Sequence, residues 1–398
     1  MDMKIYAYNI EEYLSVMLGM CGELDAEAAA ARAPVLKTSA TRGIKSLKDA
    51  RVLIRHRYDD GKKYLRLSSV NGESHLRALS PDLAENAKKI VNSELKYSGG
   101  KAPRMRERIN SDFYFEMVSR GIPLNGMSME YTPKQINDDI EFHTSGESVF
   151  SEGADTDFEK IAARIPDKYT GLLTKRVVKE RFEGSLTNTG SRTSRMSGVL
   201  FLEGRVYKAY ALQDPQQSAW KPEAEFRASN YISGALERNC SYYRDGNLQI
   251  ENKCILMFPS ADSAGKMLAE QESRTRIDPC PIYTKSYCRP SYDLGDAFIQ
   301  LLSIADWERR LVKTLFSDGE YGEIEDIALP DSTEVYNFIG CDLNRIRFCM
   351  PRLNSTGIKS LILSEEWMEP YMRTLFHEGE REIITISEED LKLLAKSL

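Results

Sequence analysis

Between Lys37 and Ser68 the spacing of apolar residues changes period within one stretch, "KTSATRGIKSLKDARVLIRHRYDDGKKYLRLS". Its first part sets Ile44 and Leu47 on one side and Arg42, Lys45 and Lys48 on the other, which predicts a helix with a single apolar face. Its second part alternates like a strand, turns at Asp59-Asp60-Gly61 and returns as "KKYLRLS", a hairpin pattern. Two helices are predicted upstream. Segment 9–24, "NIEEYLSVMLGMCGEL", has Leu14, Met17, Leu18 and Cys21 at helical spacing behind Asn9 as cap, with Glu12 three residues on. "DAEAAAARA" follows, capped by Asp25 and stopped by Pro34.

Three helices followed by a basic hairpin resemble a winged helix-turn-helix domain, in which the third helix enters the major groove and the hairpin lies on the DNA backbone. From Lys37 to Arg66 there are ten Lys and Arg against three Asp and Glu. Phosphate contact calls for such a density, because each neutralised phosphate releases counterions. The DNA-binding candidates are Lys37, Arg42, Lys45, Lys48, Arg55, Arg57, Lys62 and Lys63. A solvated basic face on a domain that binds protein is the alternative. It explains less well why the helix keeps one sign of charge on its outer side.

At 398 residues the chain exceeds one ordinary core, and two or three domains are expected. Hydrophobic residues at 41% and charged residues at 29% fit a soluble protein, and no apolar run is long enough to span a bilayer, so no membrane association is expected. The start, "MDMKIYAYNIEEYL", lacks the basic and long apolar segments of an export signal, which makes the expected compartment cytoplasmic. Seven scattered cysteines without a C-x-x-C pair read as buried free thiols. Charge divides unevenly: residues 1–120 hold 21 Lys and Arg against 16 Asp and Glu, and the remainder holds 33 against 44. The basic end is the one suited to a polyanion.

The expected fold class is α+β and α/β, multidomain. Residues 1–80 form the winged helix; 81–156 a basic helical linker and polar connection; 157–277 an α/β domain; 278–398 an acidic C-terminal α/β region. In the third segment "GVLFLEG" and "RVYKAYAL" read as strands, "KPEAEFRASNYISGALERN" as a helix after Pro222, "KCILMFPS" as a strand and "SADSAGKMLAEQE" as a helix. Arg192 and Arg195 ahead of the first strand anchor a loop or meet phosphate.

This order looks like the core of restriction-endonuclease-like proteins, where an acidic residue on one strand and a Glu-x-Lys on the next hold magnesium. Here the first strand carries Gly198, Val199 and Leu200 and the second "VYKAYAL", without a carboxylate on either. Glu203 falls in the turn and Asp214 beyond the second strand. The remaining route to a nuclease is Glu251-x-Lys253, with Asp245 or Glu225 as partner acid. The expectation is a nuclease-shaped core without activity, no metal site and no cofactor.

Taken together, "IKSLKDARVLIRHR", "KKYLRLS", the basic helical link and "SRMSGVLFLEGRVYKAYAL" resemble the replication-relaxation family over roughly residues 1–275. The resemblance implies an accessory protein encoded on a plasmid or conjugative element and tied to replication or mobilisation. Family members commonly carry an aspartate on the second central strand, from which "VYKAYAL" departs.

Farther on, "SYDLGDAFIQLLSIADWERRLVKTLF" reads as one amphipathic helix, and "EVYNFIGCDLNRIRFCM", "IKSLILS" and "REIITIS" as strand-like runs separated by helices. Asp342 stands inside the first of these runs, as a capped or paired structural residue or as a catalytic acid. From Asp318 onward 17 Asp and Glu face 8 Lys and Arg, a surface that repels DNA. No nucleotide-binding loop, dinucleotide fingerprint or H-E-x-x-H is present.

The function expected is a non-catalytic DNA-binding accessory protein acting at an origin of replication or transfer. The alternatives are a winged-helix transcriptional regulator and a metal-dependent DNA nuclease using Glu251 and Lys253. The partners expected are double-stranded DNA, a relaxase or replication initiator, and a second copy of the chain.

Overall fold

A computed structural model of the chain describes residues 3–58, 61–90, 101–132, 144–145, 158–179, 194–213, 220–246, 248–269, 279, 282–291, 294–355, 357–376 and 381–398. It is a mixed α/β protein with several small sheets. The chain packs as two compact units. Unit 1 comprises Met1–Arg192, Ser197–Phe201 and Ile232–Asn247; unit 2 comprises Thr193–Met196, Leu202–Tyr231 and Leu248–Leu398.

Unit 1 is built around helix α1 (Ile10–Cys21), whose residues from Tyr13 to Cys21 are all buried. Being enclosed all round, it serves as the unit's central helix. Its start is capped as the sequence predicts. The Asn9 side chain accepts hydrogen bonds from the backbone N–H of Glu11 and Glu12, while the Glu12 carboxylate accepts from the Tyr8 N–H. Before α1 runs a strand not foreseen from the sequence, β1 (Met3–Ala7). After it come β2 (Glu23–Asp25), α2 (Ala26–Arg32, capped by Asp25), α3 (Lys37–Asp49), β3 (Leu53–Arg57) and β4 (Lys63–Leu67). Strand β4 lies between β2 and β3, antiparallel to both.

The helices α4 (Asn71–Leu79), α5 (Pro81–Ile90) and α6 (Lys101–Ser119) follow, and then β5 (Met127–Tyr131), parallel to β1, and β6 (Thr144–Ser145), antiparallel to it. Of a loop expected over "YSGGKAPR", residues 97–100 fall outside the described residues, while Lys101–Arg104 are helical and begin α6; most of the polar connection expected over 131–157 also falls outside. Short helix α7 (Phe158–Ala162), β7 (Gly171–Thr174) and α8 (Lys175–Lys179) lead to β8 (Met196–Leu202), whose Gly198–Phe201 stretch is antiparallel to β7.

In unit 2, Glu203 and Gly204 both take positive φ, 48° and 80°, the backbone of a two-residue type I′ reversal. Then β9 (Arg205–Ala211) begins a repeat of strand and helix: α9 (Pro222–Asn239, whose last turns and the short α10, Ser241–Arg244, count with unit 1), β10 (Lys253–Phe258), α11 (Ala261–Ala269) and β11 (Lys285–Pro290). Strands β9, β10 and β11 are parallel and adjacent, with Tyr207 beside Lys253 and Ile255 beside Tyr287. Helix crossovers bury both faces of such a sheet, which accounts for the unbroken apolar run "CILMF" on β10.

The predicted single helix over 291–316 is two, α12 (Asp296–Ser303) and α13 (Trp307–Leu315), broken where Asp306 takes φ 49°. At about 100° per residue an unbroken helix would set Trp307 opposite Phe298. Both are buried, so the break turns Trp307 inward. The last layer holds β12 (Ile327–Ala328), β13 (Glu334–Asn337), α14 (Leu343–Leu353), β14 (Ser360–Glu365), α15 (Glu369–Leu375), β15 (Arg381–Ile386) and α16 (Glu388–Ser397). Strands β13, β14 and β15 are parallel in that order, with β12 antiparallel at the edge.

Only "EVYN" of the first predicted strand run is strand; "LNRIRFCM" is helix. Asp342 is not mid-strand but caps α14, accepting from the Asn344 N–H. It also accepts from the Ser286 N–H, and burial pushes its carboxyl up to about 6. Among the described residues no helix is long and apolar enough to cross a membrane. Six cysteines lie among them, all buried and none in a disulfide: Cys21, Cys240, Cys254, Cys288, Cys341 and Cys349.

Candidate nucleic-acid interface

Helix α3 turns Ala40, Gly43, Ile44 and Leu47 inward. Gly43 is where α3 crosses α1: a Cβ there would lie 2.9 Å from the Ile10 Cγ2 methyl. The close crossing fixes the rotation of α3, so its other side faces outward. Arg42, Lys45 and Lys48 are exposed there within roughly 120° of arc, at ~100° per residue. Lys37 is exposed at the first turn. None of these four cations makes an ion pair with a described residue.

The C-terminus of α3 closes on a residue that the spacing argument passed over. Arg51 sits in the left-handed region at φ 58° and donates its N–H to the Lys48 carbonyl, while Val52 donates to the Leu47 carbonyl. That pair of bonds is a Schellman closure, a place where glycine is usual. Arg51 is exposed and lies beside Lys48. A cationic residue directly after the last amphipathic turn was the only signal in the sequence.

The four hairpin candidates, Arg55 and Arg57 on β3 and Lys62 and Lys63 at the start of β4, are exposed as well. Arg57 and Lys63 face each other in the strand register, and the turn closes with Tyr58 N–H on the Lys62 carbonyl and Gly61 N–H on the Tyr58 carbonyl. Of the predicted turn residues, Asp59 and Asp60 lie outside the described residues and Gly61 takes φ 84°.

Beneath the hairpin lies a buried polar network that sequence reasoning missed. The Tyr58 hydroxyl donates to the Glu23 Oε2 at 2.8 Å. The Tyr64 hydroxyl donates to the Asp112 carboxylate at 3.0 Å and accepts from the Arg108 Nε at 2.9 Å. The Arg108 guanidinium stands over both rings, 5.2 Å from the Tyr58 centroid and 5.0 Å from that of Tyr64. Residues from β2, the hairpin and α6 are thereby joined. No local pattern marks them, because the hydrogen-bonded partners lie 35, 48 and 44 positions apart.

The nuclease candidates are placed differently. Glu203 is in the exposed turn, and Arg192 and Asp214 lie outside the described residues. Glu225, fully buried, accepts from the Ser194 hydroxyl and the Arg195 N–H, both at 2.7 Å, and so anchors the segment that enters β8. Glu251 is exposed and ion-paired with Lys253 at 2.7 Å. Asp245 is exposed beside Arg244 in unit 1. On β9, Lys208 is fully buried and donates to the Asn252 side chain at 3.3 Å. Among the described residues no three His, Cys, Asp or Glu side chains group so as to hold a metal ion.

No family model, curated protein or solved structure matches this chain.

Proposed function

We propose that residues 1–80 act as a winged helix-turn-helix that binds duplex DNA, in a non-catalytic accessory protein of the replication-relaxation kind working at an origin of replication or transfer of a plasmid or conjugative element. One observation carries the DNA reading: all eight candidate cations are exposed, on the outer side of α3 and on the β3–β4 hairpin. The order α1, β2, α2, α3, β3, β4 with β4 central in its sheet is that of a winged helix, in which α3 would lie in the major groove and the hairpin along the phosphates. The non-catalytic part is supported by the paired state of Glu251 and the anchoring role of Glu225, which leave few hard oxygen ligands for magnesium.

The test is duplex binding across a salt series. Replacing Arg42, Lys45 and Lys48 together with Ala should weaken binding and flatten the slope of log K against log salt by up to about 3, at ~0.9 for each phosphate no longer neutralised. A folded triple variant with unchanged affinity and slope would overturn the interface. A footprint on the DNA of its own element then separates an origin from a promoter as the bound site.

A further inference from the structure

Glu23 is 1% exposed, and its Oε1 has no hydrogen-bond partner among the described residues. Its other oxygen is held by the hydroxyl of Tyr58, the residue at which the basic hairpin begins to turn. Asp112, also buried, is held by Tyr64 from the returning strand. Two carboxyl groups are thus tied by tyrosine hydroxyls to the hairpin that carries Arg55, Arg57, Lys62 and Lys63. We infer that Glu23 and Asp112 form a proton-dependent seat for the hairpin, and that, on the DNA-binding reading proposed above, duplex affinity falls as the pH rises through neutrality.

The groups that face each carboxyl set the sign. Around Glu23 stand Tyr58 at the end of β3, Arg66 on β4, and Asp112 and Arg108 on α6; burial outweighs them and pushes its carboxyl up to about 7. Around Asp112 stand Arg108 on α6, Tyr64 on β4, Lys62 and Asp25; burial again dominates and raises it to about 7. Both carboxyls are therefore raised above their unfolded values. Their contribution to stability is complete below those ordinary values and is lost as the pH climbs through about 7. Ionisation then puts negative charge where one oxygen is unpartnered, loosening the hairpin and lowering the positive potential over it. Reciprocally, DNA held on the hairpin should draw protons onto the seat.

His56, on the same strand, is pulled below its usual range by burial and by Arg66 and Arg104. It would gain charge in the same direction at lower pH, so it needs its own control.

Two readouts on the full chain test the seat. The first needs no DNA: the rate of tryptic cleavage within the hairpin, normalised at each pH to a free peptide of that sequence. The wild type should be cut several-fold faster at pH 8 than at pH 6. Glu23→Gln should reduce that rise, Glu23→Gln with Asp112→Asn should remove it, and His56→Gln should keep it. Tyr58→Phe removes the hydroxyl that favours the carboxylate, so its transition should move to higher pH; this variant decides the matter if the Gln variants do not fold.

The second readout is duplex affinity at fixed salt, expected to fall about threefold to tenfold from pH 6 to pH 8, within the tenfold per pH unit that one linked proton allows. Variants that all keep the wild-type profile overturn the seat. A cleavage profile as expected with no duplex binding at any pH upholds the seat and removes the DNA reading. Duplex binding with a profile the substitutions leave unmoved does the reverse.

Discussion

Arg51 sits in a backbone conformation that costs an L-residue about 1–2 kcal/mol, yet it is not glycine. The Schellman closure it completes sets Val52 against Leu47 and starts β3 on its course, so the turn matters to the whole hairpin. Arg51→Gly should raise stability by about 1 kcal/mol in chemical denaturation, since relief of the left-handed strain outweighs the freer unfolded chain. It should also weaken duplex binding at low salt. A variant no more stable than the wild type would show that Arg51 makes some native interaction that offsets its strain. At this scale the sequence was legible wherever the cause is local. Asn9 and Asp25 cap the helices expected of them, because a cap needs only the next three residues. The seat under the hairpin was illegible, because Glu23, Tyr58 and Asp112 meet only after the chain has folded back twice.

Helix α3 was legible for the same reason as the caps: Ile44 and Leu47 lie three apart, and Arg42, Lys45 and Lys48 recur every three residues on the other side. The run "LNRIRFCM" misled because Ile346, Phe348 and Met350 alternate like a strand. The competing helical set, Leu343, Ile346, Cys349 and Leu353, is the one that is buried, and Phe348 is left 58% exposed. Two rules fitted the same residues and the Asp342 cap decided between them. The elements β8 to β10 bear on catalysis. With Glu225 holding a loop and Glu251 in an exposed pair, purified protein should leave supercoiled and single-stranded DNA intact in magnesium or manganese. Nicking by the wild type that disappears in Glu251→Ala, Lys253→Ala would place the protein among the nucleases.

At the scale of the whole chain, the two compact units are not consecutive in sequence. The chain leaves unit 1 after Arg192, returns for Ser197–Phe201, and returns again for Ile232–Asn247. What those returns supply is specific: Gly198 to Phe201 pair with β7, the Ser197 carbonyl accepts from the buried Tyr114 hydroxyl at 2.9 Å, and Cys240 packs on the Ile165 carbonyl. A chain ended at Arg192 should therefore lose its cooperative melt and become open to protease around β7. A sharp transition within a few degrees of the wild type would show those returns to be dispensable. Such threading was out of reach of a reading along the sequence, since composition marks where a segment changes character but not which earlier strand it rejoins.

The same threading bears on descent. Units strung like beads can be traded between genes by one crossover in the connecting stretch. Here any single exchange point between Arg192 and Leu248 would hand one parent's unit 1 a strand or helix bred against the other parent's core. The basic N-terminal part and the acidic α/β part should accordingly share one history and vary together, each constrained by changes in the other.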